Sequence, residues 1–173
     1  VNSDYSNMIG ESKGVYLSVS IVGSEDISYS KGIDQSQNIV DSYNMKNSDS
    51  CYENIECDKN YNCQHVVLSR NCVDSYFLLD CVNCSNCILS SNLRNKEFYI
   101  RNKQYSKEEY FKELNKMNLG SRSARAIFLK EFEALQKSAF YRFANTTKCV
   151  DSIGNNLTNT KNCKICFDAY DME

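Results

Sequence analysis

The chain has 173 residues, a formal net charge of −2, and neither proline nor tryptophan. So balanced a charge gives no sign of a polybasic tract or an acidic tail, and nucleic acid is not expected as a partner. No run of about 18 apolar residues occurs, so no membrane span is expected. The polar start Val1-Asn2-Ser3-Asp4 is not that of a signal peptide. Because it opens on Val1 instead of Met, the sequence is read as a processed product or as part of a longer chain.

Residues 1–14 read as a lead-in or partial coil, and residues 15–105 as a repeat array. From Val15 the chain repeats every six residues without a slip. One column runs Val15, Ile21, Ile27, Ile33, Ile39, Met45, Cys51, Cys57, Cys63, Ser69, Ser75, Cys81, Cys87, Leu93. A second, three residues later, runs Ser18, Ser24, Ser30, Ser36, Ser42, Ser48, Asn54, Asn60, Val66, Cys72, Leu78, Cys84, Ser90, Lys96. A register held this long predicts a mainly β solenoid, each turn buried by its neighbours. Two hexads close a coil of about twelve residues with a short strand on each side. About seven such coils rise about 4.8 Å each, for a length of about 33 Å. With glycine scarce at six residues, the corners fall to Asp26, Asn38, Asn44, Ser50, Asn62, Asp74, Asp80, Asn86 and Asn92, just ahead of the first column. These residue types tolerate the left-handed conformation.

Ten cysteines share columns with Ile, Val, Met, Leu and Ser, the usage of small interior residues carrying reduced thiols. A disulfide such as Cys51 with Cys57 would instead require an oxidising compartment. The reduced reading favours the cytoplasm over secretion.

From Ser106 to residue 145 the period changes and predicts a helical hairpin. Ser106-Lys107-Glu108-Glu109 is a capping box. Tyr110, Phe111, Leu114 and Met117 follow at helical spacing, with Gly120 as the stop. A second helix begins near Ser121 or Ser123. Its stripe of Phe128, Phe132, Leu135, Ala139 and Phe143, with Ile127 beside it, is expected to pack on the end of the solenoid. The alternative is a docking face for another chain, with Phe128, Phe132, Leu135 and Phe143 as the interaction residues. Residues 146–173 return to the three-residue period at Leu157, Thr160, Cys163, Cys166, Ala169 and Met172, and stop in mid-repeat. An uncapped edge of this kind calls for a longer chain or a covering subunit.

Catalytic and metal chemistry find little footing. Cys81, Cys84, Cys163 and Cys166 could close a tetrahedral thiolate zinc site, yet the CxxC spacing is the repeat's own period. Structural thiols are therefore expected, with no metal and no cofactor. His65, the only histidine, lies near Cys63 and Cys72 in sequence but is expected on the surface and not in catalysis. Carbohydrate cleavage needs carboxylates converging in a groove. Asp34, Asp41, Glu53, Glu56, Asp58, Asp74 and Asp80 are scattered instead. Arg94, Lys96, Arg101, Lys103, Lys107, Arg122, Arg125 and Lys130 make the hairpin region locally basic, diluted by Glu97, Glu108, Glu109 and Glu113.

The column pattern of residues 15–96 resembles the twelve-residue coils of beetle antifreeze proteins. With strand twist, this resemblance implies a right-handed β-helix. Ice binding is not implied, because that family uses a Thr-x-Thr ladder and no threonine precedes Thr146. A second resemblance rests on Asn83-Cys84-Ser85-Asn86-Cys87, Leu93-Arg94-Asn95-Lys96, the segment Asn102 to Tyr110, and Asn162-Cys163-Lys164-Ile165-Cys166-Phe167-Asp168. These segments look like uncharacterised cysteine-rich repeat proteins of large phages and candidate-phylum bacteria. That likeness implies a shared architecture and no known activity. The expectation is a non-enzymatic structural or assembly protein: a rigid β-helical rod in a homo-oligomer or larger assembly, such as a virion. The alternatives are a thiolate zinc module and a carbohydrate-binding or carbohydrate-cleaving β-helix.

Overall fold

A computed structural model describes residues 2–141 together with two short strands, Thr146–Thr147 and Leu157–Thr158. The chain divides into two compact units, Val1–Ala139 and Phe140–Glu173. In the second, the two strands pair in parallel, Thr146 opposite Leu157. The expected return of the repeat at Cys163 and Cys166 lies outside the described residues.

The first unit is a parallel β-solenoid of about eight turns with coils of about twelve residues, followed by two helices. Partners lie twelve residues apart: Val15 pairs with Ile27, Ile27 with Ile39, and Ile39 with Cys51. The array also begins before Val15. Ser3–Asp4 and Asn7–Gly10 already pair in register with Val15–Tyr16 and Val19–Val22, so of the two readings of this segment, lead-in or partial coil, the second describes it.

The backbone explains the closure. Every third residue from Asn2 to Arg101 has positive φ, without a gap. The expected corner residues are among them, including Asp26, Asn38, Asn62, Asp74 and Asn86. So too are Leu17, Tyr29, Gln35 and Asp41, which precede the second column. Each left-handed residue turns the chain, and the residue after it points inward. Both columns are consequently buried, from Val15, Ser18 and Ile21 through to Cys87, Ser90 and Leu93.

The inward serines shape the corners. Ser36 Oγ donates to the Asp34 carbonyl (2.8 Å) and accepts from the Ser48 amide (3.1 Å). Ser18, Ser24, Ser30 and Ser42 repeat this pair of bonds. Asn54 and Asn60 extend it by donating to the Cys63 and Ser69 carbonyls and accepting from the Val66 and Cys72 amides. Each hydroxyl or amide thereby satisfies backbone groups that would otherwise be buried alone.

At Cys63 the two columns exchange roles. Serine now occupies the first column, at Ser69 and Ser75, and apolar residues the second, at Val66, Cys72 and Leu78. The strands move with them. Earlier strands centre on the first column, as in Lys13–Tyr16 and Lys31–Asp34; later ones, Gln64–Val67 and Tyr76–Leu79, contain the second. On the coils before Cys63, strand forms where the inward residue is apolar, and a corner where it is serine or asparagine.

Arg101 and Asn102 are both left-handed. They form a two-residue turn that brings Lys103–Gln104 back antiparallel on Glu97–Ile100, ending the parallel ladder on this side. Helix α1 (Lys107–Met117) starts with the expected capping box at Ser106 and Glu109. It ends at left-handed Asn118, two residues before the expected stop at Gly120. Helix α2 spans Arg122–Ser138. The hairpin lies on the flank of the coils, not on the end of the solenoid as expected: Phe128, Phe132 and Tyr110 are buried with Phe77, Leu79, Ile88, Leu89 and Ile100. Outward apolar side chains on these coils give the helices a lateral surface to cover.

Candidate functional site

The residues one, two, four and five places after Val15, Ile27, Ile39, Cys51, Cys63, Ser75 and Cys87 form two adjoining outer walls. On the last coils Val67, Leu68, Tyr76, Phe77, Leu79, Ile88 and Leu89 among them are packed with the helices. Phe77 meets Phe128 and Phe132 at ring separations of 6.2 and 5.8 Å, and Phe98 meets Tyr110 at 5.6 Å. Of the sequence-derived interaction residues, Phe128 and Phe132 are thus used within the chain and Leu135 is partly buried against the same cluster. Phe143 lies outside the described residues.

Helix α2 runs along the stack. Near its start Arg125 reaches His65, and further on Glu131 pairs with Arg101, three coils later. His65 is buried at 5% exposure, contrary to the expectation of a surface residue. Its ring stacks on Phe77 at 4.7 Å, and Arg125 closes over it. Nδ1 donates to Glu53 Oε2 (2.7 Å), while Nε2 accepts from the Arg125 guanidinium (2.9 Å). Arg125 also lies 4.8 Å from the Tyr52 ring centre. Burial, opposed by Glu53 and assisted by Arg125, lowers the His65 pKa. A neutral imidazole joining a carboxylate to a guanidinium suits an anchor for α2.

Toward the start of the chain the same walls continue without helices. Tyr5, Met8, Tyr16, Leu17, Val19, Tyr29, Tyr43 and Ile55 are exposed there. Tyr16 packs edge-to-face between Tyr5 (6.0 Å) and Tyr29 (5.6 Å). Periodicity misses this surface because it follows the inward columns. The visible signal is the apolar character of residues flanking those columns on one side of the coil.

Seven cysteines in the described residues are buried free thiols: Cys51, Cys57, Cys63, Cys72, Cys81, Cys84 and Cys87. Burial pushes Cys51 up to about 11 and Cys57 to about 12. Cys72, Cys81 and Cys87 are raised as well, by the neighbouring Cys84 thiol and by burial. Cys81 and Cys84 donate to the Leu79 and Val82 carbonyls at 3.5 and 3.4 Å. Among the described residues no three His, Cys, Asp or Glu side chains are grouped to hold a metal. Cys163 and Cys166, the other half of the sequence-derived zinc set, lie outside those residues.

The basic residues near the hairpin are dispersed among partners. Arg94 bonds Asp80 (2.8 Å), Arg101 bonds Glu131, and Lys96 and Lys103 sit over Tyr99 and Tyr105. The carboxylates likewise have separate settings: Glu53 on His65, Asp58 accepting from Asn47, and Asp74 accepting from Asn62. No described helix is long and apolar enough to cross a membrane. The chain matches no model of a known protein family, and no curated protein matches it significantly.

Proposed function

We infer that the chain is a non-enzymatic assembly protein, a rigid β-solenoid rod whose side walls bind other protein. The observation that carries this reading is the wall shared by two settings. It is covered by α1 and α2 on the last coils, and it continues as exposed aromatic and aliphatic side chains on the earlier ones. Contiguous apolar surface is unfavourable in water and commonly marks an interaction site. A solenoid supplies such a surface at a fixed spacing of about 4.8 Å per coil. The partners are other copies of the chain or other components of a large assembly, of which a virion is the case suggested by the phage resemblance.

The test is selection of displayed 20-residue peptides on the immobilised folded chain, with native mass spectrometry of the same preparation. The expected result is a convergent set of saturable binders and a zinc-free mass. An empty selection with one zinc per chain would overturn the reading in favour of a thiolate module.

A further inference from the structure

We propose that the uncovered wall from Tyr5 to Ile55 is the docking site for an amphipathic α-helix of a partner protein, aromatic along one face and carrying arginine or lysine at its margins. This rests on the scaffold reading and specifies its site and occupant.

The rows of this wall run on along the stack, with Lys31, Asp41 and Glu53 standing among their apolar members. Tyr16, Ser28, Val40 and Tyr52 stand in the row that continues as Gln64, Tyr76 and Ile88. Tyr5, Leu17 and Tyr29 stand in the row of His65, Phe77 and Leu89. Val19, Tyr43 and Ile55 stand in the row of Val67 and Leu79. The later members of these rows are the surface on which α2 packs. Because α2 runs along the stack, a second helix laid on the earlier coils would continue its line and meet the same rows.

Backbone conformation points the same way. Tyr5, Met8, Leu17 and Tyr29 have φ of 52°, 57°, 45° and 52°. Bulky side chains are disfavoured in this left-handed region, where Asn, Asp and Gly are tolerated. Phe77, Leu89 and His65 share the same conformation, but packing under α2 offsets the cost. On the two opposite walls of the early coils, the left-handed positions are Glu11, Gly14, Gly23, Asp26, Gln35, Asn38, Asn47 and Ser50. On these coils, then, large apolar residues take left-handed positions on the helix-bearing side and not on the opposite walls. Their cost is met there by no contact with α1 or α2, which is the pattern of a surface kept for a partner.

Charge specifies the margins of the occupant. The uncovered stretch bears Asp4, Asp41 and Glu56 against Lys31, leaving aside Glu53, which His65 engages. The wall already shows how it takes a cation: Arg125 lies over Tyr52 and bonds the ring that links it to Glu53. A partner helix with basic margins fits this side, and its aromatic stripe would repeat the contacts of Phe128 and Phe132.

The probe is a labelled peptide with the sequence of Ser121–Ala139, the protein's own α2, titrated against the full chain by fluorescence anisotropy. Three proteins are compared: the natural sequence; a wall variant with Leu17→Asn, Tyr29→Asn and Tyr43→Ser; and a control with Val22→Ser and Tyr61→Ser on the other walls. Asparagine suits the left-handed positions, so the wall variant keeps its fold, checked by circular dichroism. The expected result is saturable binding weakened at least tenfold in the wall variant and unchanged in the control. Absence of saturable binding, or equal binding by the wall variant, would overturn the proposal. If library-selected peptides still bound but mapped to another wall, the scaffold reading would stand and only this site would fall.

Discussion

At the scale of single residues, the fold depends on a division of labour within each triplet: a left-handed residue, an inward residue and an outward one. Two substitutions separate the first two roles. Ser36→Ala removes the hydroxyl that bonds the Asp34 carbonyl and the Ser48 amide. A buried amide is left without its partner, and the loss should be about 1–3 kcal/mol in urea denaturation. Tyr29→Asn acts in the opposite sense. Tyr29 is left-handed and 55% exposed, so relief of backbone strain should raise stability by about 1 kcal/mol. An unchanged or lowered urea midpoint would show that Tyr29 makes stabilising contacts within the chain that outweigh the strain.

At the scale of elements, the junction between α2 and the solenoid carries a histidine whose protonation makes stability depend on pH near neutrality. Burial lowers the His65 pKa below its ordinary 6.5, against the pull of Glu53 and with the push of Arg125. Tyr52 and Phe77 are the rings packed against it. Well above 6.5 the imidazole is neutral in both folded and unfolded chains, so it adds no slope. As pH falls below 6.5, the unfolded chain takes up the proton first and stability declines until the folded-state pKa is passed. Denaturation measured between about pH 7.5 and 5 should show this decline, and His65→Gln should remove it. A variant that retained the full slope would place the proton uptake elsewhere.

The elements also show what was legible in the sequence. The inward columns and the capping box at Ser106 were readable, because burial repeats with a fixed period and capping has a local signature. Burial of His65 was not, since it depends on Arg125, distant in the chain. The flank position of the helices was hidden for a related reason: it depends on outward residues such as Phe77 and Leu89, whose role is fixed only when a second element covers them. The strand shift at Cys63 did leave a trace, in the exchange of serine and apolar residues between columns. Its meaning follows only once serine is known to bond the carbonyl two residues before it.

At the scale of the whole molecule, the proposal makes the solenoid a rod with one side built for helices, filled on the last coils by its own and open on the earlier ones. Such a rod can join components without moving, because each coil is held by ladder bonds to its neighbours. The most direct measurement is photocrosslinking of the labelled α2-sequence peptide to the full chain carrying p-benzoylphenylalanine in place of either Tyr29 or Tyr61. A saturable adduct is expected from position 29 and none from position 61, which faces another wall. Equal adducts from both positions, or an adduct from position 61 alone, would contradict a helix-binding wall.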